Sequence, residues 1–231
     1  MQEKQKQSGK LNPYYFVDRL FALLDENDAV VCGNATACIV PYQAGKLKKG
    51  QRLISNSGSA SMGYDLPASI GVAVAKGSRV ICLAGDGSLQ MNVQELQTVV
   101  HHRLPVKIFV LNNAGYLSIR QTQTGFFQGR LIGTGATSGV SFPDMVKVGA
   151  AYGIPSFPVV SIEDLRMVAE EIEKPGPALF EVFLDAAQEF EPRLRSRILP
   201  DGKIQTPNLE DMYPFLSPEE LAANMLVRDD S

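Results

Sequence analysis

Two apolar runs in this chain end in residues that no buried strand requires. RVICLA (79–84) runs into Gly85-Asp86-Gly87, and VKIFVL (106–111) runs into Asn112-Asn113. Asp86 offers carboxylate oxygens and Asn113 an amide oxygen, hard donors that suit magnesium or calcium rather than zinc. Two protein oxygens cannot fill an octahedron. A backbone carbonyl, a water and phosphate oxygens are the usual company of magnesium. Gly85 and Gly87 leave space for a bulky anion, and the amides of Gly87 and Ser88, opening a helix, would face its negative charge. Taken singly, each motif can be no more than a turn after a strand. The spacing adds to them: residues 88–111 separate Gly87 from Asn112, room for one crossover helix and one strand. That puts both motifs on the same edge of a parallel sheet, and the combination points to a diphosphate held through magnesium.

The elements that must position these residues follow from the pattern of the chain. Asn12-Pro13 is a helix start, a capping side chain followed by proline, and Tyr14, Val17, Leu20, Phe21 and Leu24 continue it at helical spacing. Ala29–Cys32 is a short apolar strand ending at Gly33, a helix is expected over 35–44, and Leu53-Ile54 is a further short strand. Small residues at 68, 71, 73 and 75 mark a helix over 64–75 that can pack closely on a sheet. Ser88 is expected to cap a helix running to Arg103, ended by Pro105. A loop follows the second apolar run, then a helix over 142–152, a strand over 156–160, a helix from Ser161 to Glu173, and a last strand over 178–184. Strands alternate with helices, and the central strands are apolar on both faces. The fold class is therefore α/β, a parallel sheet flanked by helices on both faces. One domain is expected over 11–185, after a lead-in of residues 1–10 and before a charged, proline-bearing C-terminal tail, 186–231.

Composition bounds the rest. The chain has 231 residues, 45% hydrophobic and 20% charged, with a net charge of −3. These values are ordinary for a globular protein and give no nucleic-acid or membrane surface. No apolar run has the length of a membrane span, and MQEKQKQSGK lacks the apolar core of a signal peptide. Cys32, Cys38 and Cys82 form no CxxC pair and sit among apolar or small residues, which predicts buried thiols and a reducing, cytoplasmic setting.

The GDG…NN pairing at this spacing resembles the diphosphate-binding motif of thiamine diphosphate enzymes. From about Leu11 to Leu221 the chain is similar to the C-terminal third of acetolactate synthase-like and pyruvate decarboxylase-like enzymes. The resemblance implies the thiamine diphosphate-binding fold, with Asp86, Asn113 and the Gly115 carbonyl as magnesium ligands. It also implies that Gly85, Gly87 and Ser88 lie at the diphosphate. A second segment, Ser57-Gly-Ser-Ala-Ser-Met-Gly63 followed by Tyr-Asp-Leu-Pro67, matches the family as well. There Met62 takes the place of the large apolar residue that bends the cofactor into a V, and the Ala60 carbonyl that of the group orienting the aminopyrimidine. A bent cofactor sets its own amino nitrogen beside the thiazolium carbon whose proton must leave, a proximity effect.

The activity so implied is decarboxylation of a 2-oxo acid, ending in an aldehyde or in ligation to a second carbonyl. In the family the glutamate that activates the pyrimidine lies in a separate N-terminal domain, and it is absent from this chain. A pyrimidine-binding subunit is therefore the expected partner, in a hetero-oligomer with active sites at the interface. A truncated or non-catalytic thiamine diphosphate-binding module is the alternative. Acetolactate synthases of amino-acid biosynthesis carry tryptophan in an RQWQ segment; here Arg120-Gln121-Thr122-Gln123 has threonine, which argues against ordinary branched-chain synthesis.

Other signals carry less. His101-His102 suits a helix C-terminus through the dipole alone. Gly133–Gly139 (GTGATSG) does not follow a strand and reads as a mobile loop rather than a nucleotide loop. Lys46, Lys48 and Lys49 read as a solvated turn. Arg120–Phe127 follows the metal loop closely enough to face substrate.

Overall fold

Asn12 starts the first helix, α1 (Pro13–Leu23): its Oδ1 accepts the N–H groups of Tyr14 and Tyr15 at 2.9 and 3.2 Å, satisfying donors that the first turn leaves without helical partners. The computed structural model describes residues 10–198 and 201–225. All of the expected lead-in except Lys10 lies outside them. By its contacts the chain falls into two compact units, Met1–Gln188 and Glu189–Ser231.

The first unit is built on six parallel strands, β1 (Ala29–Cys32), β2 (Arg52–Ser55), β3 (Val80–Gly85), β4 (Val106–Asn112), β5 (Ser156–Val159) and β6 (Ala178–Phe183), ordered β2-β1-β3-β4-β6-β5. Alternate residues of the central strands serve opposite faces, as the two-residue period requires. Val80, Cys82 and Ala84 of β3, with Val106, Ile108 and Val110 of β4, pack with Leu66 and Ala73 of α3 (Asp65–Lys76). Leu96 and Val99 of α5 (Leu96–His101) join the same cluster. On the other face Phe109 stacks on Phe180 at 4.7 Å and meets Phe16 of α1 at 6.2 Å. The parallel α/β class expected from the pattern is thus the observed one. It belongs to open sheets whose ligands collect beyond the carboxyl ends of the strands.

Several local expectations are corrected. Ser88 does not cap a long helix. Gly85 is the N-cap of a short α4 (Asp86–Gln90), and a 3-10 turn, Val93–Glu95, separates it from α5. The Ser88 hydroxyl is already engaged by Asp65 and Gly63. The stretch expected as loop contains α6 (Leu117–Phe126), a helix whose exposed polar face hides its period. α7 (Met145–Ala151) starts later than residue 142, because Asp144 caps it through Lys147 N–H at 2.9 Å. A further 3-10 turn, Ile162–Asp164, precedes α8 (Leu165–Glu173). α2 (Thr36–Ala44) runs over the expected residues, but its Cys38 is only half-buried, unlike Cys32 and Cys82. Burial pushes all three thiols up, Cys38 least enclosed of them. Lys48 is more than a solvated turn residue, since its Nζ donates to the Ala22 and Leu24 carbonyls at the end of α1.

The second unit carries an antiparallel pair, β7 (Arg197–Ile198) and β8 (Ile204–Gln205), and a helix, α9 (Pro218–Asn224). Within it Arg197 pairs with Asp211 at 2.7 Å. The charged tail therefore has local structure that its sequence pattern did not reveal.

Candidate functional site

β3 and β4 lie side by side with Gly85 opposite Leu111, so Asp86 and Asn112-Asn113 emerge together at the carboxyl edge. Asp86 is 3% exposed and Asn113 7%. The two Asp86 carboxylate oxygens accept backbone N–H groups from beyond both strand ends, Gly87 at 2.8 Å and Gly115 at 2.9 Å. Burial raises the Asp86 carboxyl above the ordinary range, against the pull of those N–H groups and of the nearby Arg120 charge. An ionised carboxylate held there lacks water, and a bound cation would compensate it.

Asn113 carries the more specific observation. Its Nδ2 donates to Thr36 Oγ1 of α2 at 3.1 Å, which fixes the orientation of the amide. Its Oδ1 is buried and accepts no hydrogen bond. A buried acceptor left so costs about 1–3 kcal/mol, and it is an oxygen well suited to a hard cation. The first amide of the pair does something else. Asn112 Nδ2 donates to Glu181 Oε1 of β6 at 2.7 Å, and its Oδ1 accepts the Ala114 N–H at 3.0 Å. Glu181, buried, also takes the N–H of Met145 at the start of α7. Asn112 and Glu181 thus shape the loop that presents Asn113.

The next residues are tied as tightly. Gly115 has φ +127°, and a Cβ there would lie 2.2 Å from the Thr134 carbonyl oxygen, so only glycine fits. Thr134 O accepts the Tyr116 N–H at 2.9 Å, and Thr134 is 1% exposed. Thr134, within the 133–139 stretch expected to be mobile, therefore buttresses the loop that presents Asn113. Arg120 donates to the carbonyls of Asn113 and Ala114 at 3.0 and 3.3 Å. Gly87 is required by close approach: a Cβ would sit 2.3 Å from Tyr116 Cε1 and 2.9 Å from Phe142 Cζ.

A cavity of ≈ 480 Å³ opens at this edge. Gly85, Asp86, Gly87 and Ser88 line it, as do Asn113 and Gly115. Ala60 and Met62 line it too, from the segment between β2 and α3. All eight residues singled out by the sequence thus meet at one cavity. Ala60 has φ +47°, and its carbonyl accepts Asn34 Nδ2 at 3.4 Å. Asp86 is the only carboxylate lining the cavity among the described residues. Ile119 reaches it from α6, whereas Thr122 turns its hydroxyl to the Ser118 carbonyl at 3.1 Å. His101 and His102 are exposed, stacked edge to face at 4.8 Å, and do not line the cavity. Thr36 and Asn34, between β1 and the start of α2, carry no sequence signal for the site, and Cys38, read from the sequence only as a buried thiol, lines the cavity with them. Gly33 at the end of β1 was the one available signal, because it marks a third strand end at the same edge.

Comparison with known proteins gives the family. Residues 33–182 match the family described as "Thiamine pyrophosphate enzyme, C-terminal TPP binding domain". The chain belongs to that family. It is 36% identical over 151 residues to the acetolactate synthase large subunit of Cyanidium caldarium, covering 64% of this chain and 25% of that protein. It is 33% identical over 179 residues to acetolactate synthase 2, chloroplastic, of Brassica napus, covering 75% and 28%. With the acetolactate synthase isozyme 1 large subunit of Escherichia coli (strain K12) it shares 29% over 198 residues, 85% and 34%. The chain thus spans 25–34% of the length of these relatives. Among the described residues no helix is long and apolar enough to cross a membrane.

Proposed function

We propose that this chain supplies the magnesium- and diphosphate-binding half of a thiamine diphosphate-dependent active site that decarboxylates or ligates 2-oxo acids, as in acetolactate synthase-like enzymes. The observation that carries this is the orphaned Asn113 Oδ1 together with the buried Asp86 carboxylate, hard oxygen donors on two residues that line one cavity. Asp86, Asn113 Oδ1 and the Gly115 carbonyl would hold magnesium. Gly85 and Gly87 leave space for the diphosphate, with the Ser88 amide beside it. The Gly87 amide serves first to hold Asp86. Bound thiamine diphosphate supplies the nucleophilic carbon and the electron sink for decarboxylation. Met62 would press on the cofactor from below and fix its bend, and the Ala60 carbonyl would orient the aminopyrimidine.

No glutamate lines the cavity among the described residues. A pyrimidine-binding partner is therefore proposed to supply the activating carboxylate and to exclude water from the cleft, giving a hetero-oligomer with shared sites. The domain carrying this half-site is proposed to run over 11–185, in a cytoplasmic protein. Titration calorimetry of thiamine diphosphate, with and without magnesium, tests the cofactor half: binding is expected only with the cation, and cation-independent affinity would overturn the metal assignment. Steady-state decarboxylation of a panel of 2-oxo acids tests the partner. Little turnover is expected from the chain alone, and full activity without a second protein overturns the shared site.

A further inference from the structure

Asp65 is a fully buried carboxylate that the proposed chemistry does not use. It lies in the first turn of α3, where a negative charge is favourable with the helix dipole. That explains an acid at this end of the helix, but not one turned away from water. A Cβ at Gly33 would lie 2.6 Å from Asp65 Oδ2, so the carboxylate is pressed against the backbone that follows β1. Oδ1 accepts the Leu66 N–H at 2.9 Å, and Oδ2 accepts the Ser88 hydroxyl at 2.6 Å. Ser88 Oγ in turn accepts the Gly63 N–H at 2.9 Å. The Gly63 carbonyl takes Asn92 Nδ2 at 2.6 Å. Both polar groups of Gly63, the residue after Met62, are thereby tied to the segment that follows Asp86. Gly63 has φ +78°, and a Cβ there would meet Asn92 Nδ2 at 2.8 Å and Met91 Cβ at 2.9 Å.

A serine hydroxyl has one proton and two lone pairs. While Asp65 holds that proton, a lone pair of Ser88 Oγ is turned to the Gly63 amide. We infer that Asp65 is a positioning residue, acting through Ser88 to hold the loop that carries Met62 against the Asp86 turn. This rests on the thiamine diphosphate reading for the purpose of the loop, not for the contact itself. The consequence is that the apolar wedge and the diphosphate end of the cavity keep a fixed separation before any ligand arrives. Setting that geometry in advance removes an ordering cost from binding.

Amide hydrogen exchange of the unliganded protein, resolved at Gly63, is the test. Ser88→Ala and Asp65→Ala are each expected to speed Gly63 exchange about tenfold, the loss of one hydrogen bond. Amides of β3 and β4 should stay protected. The double variant should be no faster than either single one, because the three groups form one chain. Asp65→Asn keeps the shape and covers the case in which the alanine variant does not fold. It has one acceptor oxygen where Asp65 uses two, so Gly63 exchange should fall between the other rates. Gly63 exchange within about twofold of the parent in the Asp65 variants overturns the inference, as do effects that multiply in the double variant. Faster exchange confined to the first turn of α3 would reduce Asp65 to a helix-end acid and also overturn it. If the parent protein binds no magnesium and thiamine diphosphate in calorimetry, the cofactor reading fails, and the Gly63 rates still decide the role of Asp65.

Discussion

Replacing Asp86 by asparagine separates what the carboxylate does for the fold from what it does for a ligand. In the unliganded protein Asp86 accepts two backbone N–H groups, from Gly87 and Gly115. Asparagine keeps one acceptor oxygen and turns an NH₂ toward the other N–H, leaving a buried donor without a partner at a cost of about 1–2 kcal/mol. Against this, the variant removes a carboxylate whose charge is penalised by burial. The two effects oppose, so the net change in stability should stay within about 2 kcal/mol, or roughly 4–8 °C in Tm for a domain of this size. Ligand binding has no such offset. Magnesium would lose its one anionic protein ligand, and the affinity for thiamine diphosphate with magnesium should fall at least about 100-fold, some 2.7 kcal/mol. Thermal unfolding reads both quantities. Ligand at about 100 times Kd stabilises the parent by about 2.7 kcal/mol, and this should fall to about 0.4 kcal/mol or less in Asp86→Asn at the same concentrations. A variant with near-parental Tm that keeps the full ligand-induced shift refutes the metal assignment; calorimetry on the same samples gives the affinity directly.

Three further outcomes are expected. Met62→Ala leaves the proposed metal and diphosphate contacts in place, so in an enzyme reconstituted with the proposed pyrimidine-binding partner kcat should fall more than cofactor affinity; the reverse split would make Met62 a mere binding contact. Gly87→Ala drives a Cβ into the Tyr116 ring and should cost about 1–3 kcal/mol in urea unfolding, with at least half recovered by adding Tyr116→Ala; no recovery would locate the strain elsewhere. Burial raises the folded-state pKa of Asp65, so between the unfolded and folded values the native state holds a proton that the unfolded chain has lost. The stability contributed by this group is present below the unfolded pKa and falls as pH rises through that window, which opens at about pH 4. Asp65→Asn should flatten that part of the profile, and identical slopes of urea midpoint against pH in parent and variant would contradict it.

The sequence by itself determined the α/β class and the edge of the sheet that matters. Short apolar runs such as RVICLA and VKIFVL cannot face water on either side, and the residues that end them can only sit at a strand terminus. The GDG and NN motifs were legible because their spacing allows one crossover, and a crossover between parallel strands returns the chain to the same edge. What the sequence could not carry were partnerships between residues far apart in it. Thr36 fixes the Asn113 amide across 77 positions, and Glu181 holds Asn112 across 69. Neither has a local signature, since a buried hydrogen bond depends on which elements pack together and not on its neighbours in the chain. The same holds for Ser88, a plausible helix cap by type and position until Asp65 folds against it. The tertiary structure also turned Gly133–Gly139 from an expected mobile loop into a support, because only packing brings the Thr134 carbonyl to Gly115. Residue types and spacing therefore pointed to the ligand chemistry proposed. The orientation of each donor was decided by contacts that exist only once the sheet and its helices have closed around it.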